Sequence, residues 1–334
     1  MTVLVTGGGG LVGTHVLEAL RARDIPARAL VRPSSRAIVE AFGAEPVVGD
    51  VTDPAPWQRA TRGGGVRAIV HAAALVASPD SYDDFVRVNV GGTRLALEAA
   101  ERERIPLVHV SSVAVYGRAM KQVGVSEDFS FQPLPDRDFY ARSKRAAEEL
   151  IRREAVNRQL SVIAIRPNVI YGERDKLFTE RLIANLRRGI LPQIGPGTNH
   201  LSCVYAGNVA SAIVAALDGA PRRGFRAYHV TRDAEPLLTQ REFFATFADA
   251  LGLRPLRLRI PVGFIRFGVL AWRGLRSLVS PGRYSALGNA ALSFILGENP
   301  YSTDRIRDEL GWTPSFDTRT AIKRTVAWKL RVAV

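Results

Sequence analysis

The chain opens on a short apolar run, Val3–Thr6, that gives way at once to Gly7-Gly8-Gly9-Gly10-Leu11-Val12-Gly13. Gly7, Gly10 and Gly13 have the GxxGxxG spacing, and the pattern predicts a strand, a tight turn and a helix in immediate succession. Residues without Cβ let the backbone of such a turn approach a pyrophosphate closely, and the amides of the first helical turn, around Leu11 and Val12, then face the anion. A flexible tight turn is the plain alternative. The strand–turn–helix setting favours a dinucleotide site. The same opening run reads as a buried strand, with no basic region ahead of an apolar one, so no signal peptide is expected.

Behind this turn, apolar β-rich runs recur at Ala27–Val31, Pro46–Val48, Ala68–His71, Leu107–Ser111, Val162–Arg166 and Ala227–Val230. Amphipathic stretches lie between them, at Val12–Arg23, Asp84–Glu103 and Tyr140–Asn157. Short apolar strands separated by helices predict an α/β fold, a doubly wound parallel (Rossmann) sheet covered on both faces. After about Arg166 the pattern loosens, with Gly- and Pro-rich loops at Gly189–Thr198 and Gly219–Gly224 and helices near Phe178–Arg188 and Thr239–Leu251. We therefore expect 1–170 and 200–232 to form the dinucleotide-binding domain. Residues 171–199 and 233–334 should form a smaller, mostly C-terminal substrate-binding lobe.

The formal net charge is +14, and 41 of the 46 basic residues are Arg. They are scattered, without a basic block or aromatic interleaving, so specific nucleic-acid binding is not expected. A basic surface does suit an anionic cofactor. The lone Cys203 excludes an internal disulfide and a cysteine-based zinc site. His15, His71, His109, His200 and His229 show no ligand spacing, so no metal is expected. A cytoplasmic enzyme is the expectation from composition.

The second strand ends at Arg32, with Ser34 and Arg36 close behind and no acidic residue. A carboxylate there would hold ribose hydroxyls, whereas a 2′-phosphate needs a cation, so NADP(H) is expected over NAD(H). Arg32 as a solvated loop residue is the bland alternative, and NAD(H) stays open. Asp50 and Val51, after the third strand, are placed to meet the adenine. A solvent-facing turn is the other reading for Asp50.

Tyr140-Ala141-Arg142-Ser143-Lys144 opens a helix, and the i, i+4 spacing sets Tyr140 and Lys144 on one face. A phenol titrates near 10 and is a poor acid–base catalyst at neutrality. A nearby ammonium is expected to lower that value. Ser112, at the carboxyl end of the preceding strand, could hydrogen-bond a substrate oxygen while Tyr140 exchanges its proton.

On these residues the chain resembles an extended short-chain dehydrogenase/reductase throughout. The matching segments are TGGGGLVG, GDVTD (49–53), HAAA (71–74), NVGGT (89–93), SSVAVYG, YARSK, RPNVIYG (166–172) and YSTDRIRDELGW. The resemblance implies that Ser112, Tyr140 and Lys144 are catalytic and that lysine binds the nicotinamide ribose. It further implies that Ala72, Ala73 and Ala74 line the cofactor, that Asn89 supports the site, and that Pro167, Asn168 and Val169 border the nicotinamide. Close packing of the alanines and a surface amide at Asn89 are the plain alternatives.

Within the family, nucleotide-sugar epimerases and dehydratases carry an Arg that grips the sugar diphosphate. Leu201 stands at that place in NHLSCVYAGNVA (199–210). The segment is closer to the 3β-hydroxysteroid dehydrogenase and dihydroflavonol reductase-like branch, which implies a hydrophobic alcohol or ketone as substrate. Arg174, Arg181 and Arg187 keep a sugar-nucleotide epimerase or dehydratase in play as the rival enzyme. A non-catalytic dinucleotide sensor is a third reading, and it would not need the Tyr–Lys pair. The greasy segment 259–280, interrupted by Arg266, Arg273 and Arg276, reads as a core helix, a substrate-entrance helix or an interfacial helix making peripheral membrane contact. A monomer and a homodimer both fit.

Overall fold

The computed structural model describes residues 2–77, 81–117, 123–190, 193–219, 223–254, 259–261, 263 and 294–332. Its strands are β1 (Thr2–Thr6), β2 (Ala27–Val31), β3 (Glu45–Val48), β4 (Val66–His71), β5 (Leu107–Val110), β6 (Ser161–Pro167), β7 (Val169–Tyr171), β8 (Gln193–Ile194), β9 (Cys203–Tyr205), β10 (Gly224–Val230) and β11 (Arg259–Ile260). Its α-helices are α1 (Leu11–Arg21), α2 (Arg36–Ala41), α3 (Pro54–Thr61), α4 (Tyr82–Phe85), α5 (Gly92–Glu103), α6 (Phe139–Asn157), α7 (Thr179–Arg187), α8 (Ala206–Asp218), α9 (Gln240–Ala250), α10 (Asp304–Leu310) and α11 (Thr318–Val332).

Seven strands form one sheet in the order β3-β2-β1-β4-β5-β6-β10, and all of its pairs are parallel. The chain works outward from β1 to β3, then returns to the other side of β1 to lay down β4. That reversal leaves a crevice at the carboxyl ends of β1 and β4, where a doubly wound sheet holds its ligand. The glycine turn sits at this point.

Alternate residues of β1 serve opposite layers. Val3 and Val5 pack with Val16, Leu17 and Leu20 of α1 and with Val209 and Ile213 of α8. Leu4 packs the other way, with Trp57 of α3, Leu97 and Ala100 of α5 and Ile151 of α6. Burial on both faces is why the strands appear in sequence as continuous apolar runs rather than alternating ones.

The stretch 84–103 departs from a single helix. It begins at Tyr82 and widens to a π-helical turn over Val86–Gly91 before α5. The wider turn carries Asn89, whose side chain is buried and whose carbonyl accepts from Thr93 Oγ1 at 2.6 Å. Hydrophobic period does not register one extra residue per turn.

A second core gathers Tyr171, Leu182, Ile183, Leu201, Cys203, Tyr205, Phe243, Phe247, Ile322 and Val326. β9 belongs to both cores, because Val204 between Cys203 and Tyr205 lies in the main one. Asp233 pins the junction. Its carboxylate accepts from Tyr205 N (2.8 Å), Asn208 Nδ2 (2.8 Å), Thr318 Oγ1 (3.0 Å) and the Tyr171 hydroxyl. Within 259–280, only Arg259–Pro261 and Gly263 are described, so the readings of that segment lie outside the described residues. Among the described residues no helix is long and apolar enough to cross a membrane.

Leu4 is fully buried, so Leu4→Ala should destabilise the chain by about 2–5 kcal/mol, seen as a lower urea midpoint at unchanged slope. An unchanged midpoint would mean that the layer beneath β1 is not packed as described.

Candidate active site

Gly7 adopts φ +68°, and a Cβ there would fall 2.7 Å from Ala73 N. A Cβ on Gly13 would fall 2.1 Å from Gly7 O, so α1 lies directly on the turn. Gly10 is the exposed N-cap of α1 and has extended backbone; no side chain caps it, and the first turn holds no acidic residue. Gly10 N donates to Gly7 O at 2.9 Å and Thr14 N to Gly10 O at 3.0 Å. The amides of Leu11, Val12 and Gly13 are thus presented at the switch point without a side-chain acceptor, an arrangement that fits a pyrophosphate.

Across the crevice, the coil after β4 crosses this turn. Ala73 N donates to Thr6 Oγ1 (3.2 Å), and that hydroxyl also pairs with His71 Nδ1 (2.8 Å). Ala72, Ala73 and Ala74 are half-buried. Asn89 fastens this coil, accepting from Leu75 N (2.7 Å) and donating to Leu75 O (3.0 Å) and to Ser143 Oγ (2.9 Å). One amide therefore joins the alanine coil to α6.

At the adenosine side, Arg32 is exposed at the end of β2. Asp50 accepts from Thr52 N (2.9 Å) and Thr52 Oγ1 (2.8 Å). Burial works to raise its pKa, but the Thr52 hydrogen bonds and the charges of Arg32 and Arg87 outweigh that and hold it below the ordinary carboxylate value. Val51 packs where a Cβ on Gly92 would stand, 3.3 Å from its Cγ2, and its carbonyl accepts from Trp57 Nε1 at 2.9 Å. Arg36 forms an exposed ion pair with Glu40 on the next turn of its own helix, 2.9 Å away.

Ser112 caps a short 3₁₀ turn, its Oγ accepting from Ala114 N at 3.1 Å. Tyr140 lies in the first turn of α6, where Asp138 caps the helix by accepting from Ala141 N at 3.3 Å. The phenol lies near enough to the Ser112 side chain for that hydroxyl to favour its ionised form. Lys144, buried one turn on, donates to Val110 O at 2.7 Å. Burial raises the Tyr140 pKa, against the Ser112 hydrogen bond, with Asp138 adding to the rise. The expectation that the ammonium lowers the phenol is therefore corrected for the chain by itself. Desolvation dominates, and the ammonium is engaged on a backbone carbonyl. Burial also lowers Lys144 to about 8, opposed by the charge of Glu148.

Pro167 ends β6, and Val169 on β7 is exposed. Between them Asn168 is buried, donating to Thr231 O (2.7 Å) and Ser202 Oγ (3.1 Å), while its Oδ1 has no partner. Arg174 stacks over Phe42 (4.8 Å) and Trp328 (5.6 Å). Arg181 and Arg187 are exposed on α7. Among the described residues no group of His, Cys, Asp or Glu could hold a metal ion.

Residues 3–230 match the NAD dependent epimerase/dehydratase family. The chain belongs to that family. It is 33% identical over 320 residues to the 4-hydroxy-2-methyl-3-oxo-4-farnesyl-3,4-dihydroquinoline-1-oxide ketoreductase of Stigmatella aurantiaca, covering 93% of this chain and 92% of that protein. It is 28% identical over 341 residues to a 3 beta-hydroxysteroid dehydrogenase/Delta 5-->4-isomerase of Mycobacterium tuberculosis, covering 96% of this chain and 88% of that protein. Among solved structures, a dTDP-glucose 4,6-dehydratase from Streptomyces venezuelae with NAD bound overlays with a TM-score of 0.72 at 26% identity, covering 99% of this chain and 97% of that one. The family makes this an NAD(P)-dependent enzyme of the extended short-chain dehydrogenase/reductase type, with a nicotinamide dinucleotide as cofactor.

Sequence reasoning missed Glu148 and Arg166 as parts of the site. Both are fully buried, and Arg166 Nε donates to Glu148 Oε2 at 3.0 Å. A signal existed. Glu148 lies four residues past Lys144 on the same helical face, and Arg166 stands in a strand with apolar neighbours, where only a buried carboxylate could accompany it.

A buried lysine with a lowered pKa binds more protons unfolded than folded between about pH 8 and its ordinary value of 10.5. Stability from this group is therefore smallest below pH 8 and grows across that window. Comparing Lys144→Met with the parent by urea unfolding should show the stability difference shifting in the parent's favour from pH 8 to 10.5. A difference independent of pH would contradict the burial of the ammonium.

Proposed function

We propose that the protein is an NADP(H)-dependent oxidoreductase that transfers hydride between the nicotinamide and a hydrophobic secondary alcohol or ketone, with Tyr140 as the acid and base. The observation that carries the redox reading is Tyr140 beside Ser112, one helical turn before a buried Lys144 that is held on Val110 O at the end of β5. A bound nicotinamide supplies or accepts the hydride. Tyr140 gives its proton to the carbonyl oxygen in the reductive direction. A phenol whose pKa burial has raised stays protonated at neutral pH, the form that ketone reduction requires. Ser112 accepts from Ala114 N, which leaves its own proton to donate to the same oxygen. Lys144, at about 8, is mostly cationic at neutrality and favours negative charge developing beside it.

Gly7, Gly10, Leu11, Val12 and Gly13 would hold the pyrophosphate, Asp50 and Val51 the adenine, and Ala72–Ala74 the far wall. Asn89 would act by fixing that wall to α6. Pro167–Val169 would border the nicotinamide. Arg32 would take the 2′-phosphate, with Arg36 as the second cation, since its exposed pair with Glu40 is weak. We assign 171–199 and 233–334 to the substrate lobe.

Leu201 supports this substrate class. It is 6% exposed, in the place where sugar-nucleotide enzymes of the family carry an Arg. Leu201, Leu237, Leu238 and Phe243 border a small recess of mixed character that His200, Cys203, Arg232, Asp233, Asn299 and Thr318 also line. A diphosphate bound without its cation would lose charge-assisted hydrogen bonds of about 1.5–3 kcal/mol each. The names of the two relatives carry a farnesylated quinoline and a steroid, both large and apolar, which supports a hydrophobic substrate. The overlay on a dTDP-glucose dehydratase at 26% identity favours a second reading, a nucleotide-sugar dehydratase or epimerase.

Tyr140→Phe should lower kcat for hydrophobic ketones about 10²–10⁴-fold, followed by nicotinamide absorbance, while dinucleotide binding persists. Turnover equal to the parent would remove Tyr140 from the mechanism. Product analysis with UDP-glucose and dTDP-glucose separates the readings: a converted sugar nucleotide and inert ketones would select the second. For the coenzyme, Arg32→Ala should weaken NADPH about 10–100-fold and leave NADH binding as it was. A parent that binds NADH as tightly as NADPH contradicts the phosphate argument.

A further inference from the structure

Helix α6 grips the end of β5 with two side chains one turn apart. Lys144 Nζ donates to Val110 O (2.7 Å), and Glu148 Oε2 accepts from Ser111 Oγ (2.7 Å). The next residue is Ser112. From the other side, Ser111 N donates to Ile165 O at 2.8 Å, and the residue after Ile165 is Arg166. Arg166 closes the circuit, giving Nε (3.0 Å) and Nη2 to Glu148 and Nη1 to Glu127 O (3.0 Å) and the Tyr116 hydroxyl. Arg152 adds Nη2 to Glu148 Oε1 at 3.2 Å.

We propose that Glu148 is a positioning residue, which sets the place of Ser112 through Ser111 and supplies the counter-charge to Lys144. Glu148 and Arg166 are both 0% exposed, so this carboxylate has no solvent to share its charge with. Burial pushes its pKa up, but the hydrogen bond and charge of Arg166, the Ser111 hydrogen bond and the charge of Arg152 outweigh that and keep it ionised. Lys144 has few other groups that could balance it. His71 on β4 and His109 on β5 face it electrostatically, and burial holds both imidazoles neutral. Asn89 beneath the π turn and Ser143 and Tyr140 on α6 are uncharged at neutral pH. The acidic cap Asp138 acts on Tyr140. Without Glu148, two buried cations, Lys144 and Arg166, would share one region with no carboxylate between them.

This inference rests on the proposed oxidoreductase chemistry for its kinetic consequence, but its electrostatic part can be measured without substrate. The chain has only five lysines. Lysine labelled with ¹³C at Cε therefore gives a short NMR spectrum, in which the Lys144 signal is the one lost in Lys144→Met. Its titration midpoint, about 8 in the parent, should fall by about one pH unit or more in Glu148→Gln. A merely structural role would leave the midpoint where it was, and that result overturns the proposal. Ser111→Ala keeps the carboxylate and removes only the tie to Ser112. It should lower kcat with dinucleotide binding retained and the Lys144 midpoint unmoved. Parent-like kcat in Ser111→Ala overturns the positioning half. If Glu148→Gln does not fold, Glu148→Asp takes its place: it retracts the charge, the midpoint should fall less, and an unmoved midpoint again overturns the proposal. A parent that turns over no ketone, together with a moved midpoint in the variant, would instead sink the proposed function and leave the counter-charge standing.

Discussion

The helix that follows β1 lies so close to the turn before it that no side chain fits between them. Gly13 would place a Cβ 2.1 Å from Gly7 O, and Gly7 would place one 2.7 Å from Ala73 N. Three segments, the turn, α1 and the coil after β4, meet at backbone contact. Because the backbone itself is the surface there, the free amides of α1 face the crevice rather than a layer of side chains. The rest of the site is arranged around that contact. The alanine coil is held down by Thr6, Asn89 ties the coil to α6, and α6 carries Tyr140 and Lys144.

Burial does two opposite things in this site. It favours the neutral phenol of Tyr140 and also makes the ammonium of Lys144 easier to discharge. Both shifts arise from the low dielectric of a region covered by the sheet on one side and α5 and α6 on the other. The protein keeps charge in that region only where the partners are complete. Glu148 and Arg166 remain ionised because each finds several hydrogen bonds, whereas His71, His109 and His229 are held neutral.

Much of the sheet was legible in the sequence because its inner strands are covered on both faces. Predominantly apolar runs such as Ala27–Val31, broken only by Arg28, mark their own ends, and the structure returns that strand with the same bounds. The glycine turn was legible for a related reason, since its backbone contacts forbid other residue types. The π turn at Val86–Gly91 was not, because one additional residue per turn changes no apolar period. Nor was the raised pKa of Tyr140. The i, i+4 spacing correctly set Tyr140 and Lys144 on one helix, but where an ammonium points depends on carbonyls of another strand, here Val110. Glu148 escaped notice because its decisive partner, Arg166, is supplied by β6 across the fold.

The short strand β9 is shared between two hydrophobic interiors, with Val204 turned into one and Cys203 and Tyr205 into the other. A wide swing of the smaller lobe about this strand would tear apolar groups out of one interior or the other, and would also break the Tyr205 amide's bond to Asp233. The two interiors thus share one strand and the carboxylate that holds it.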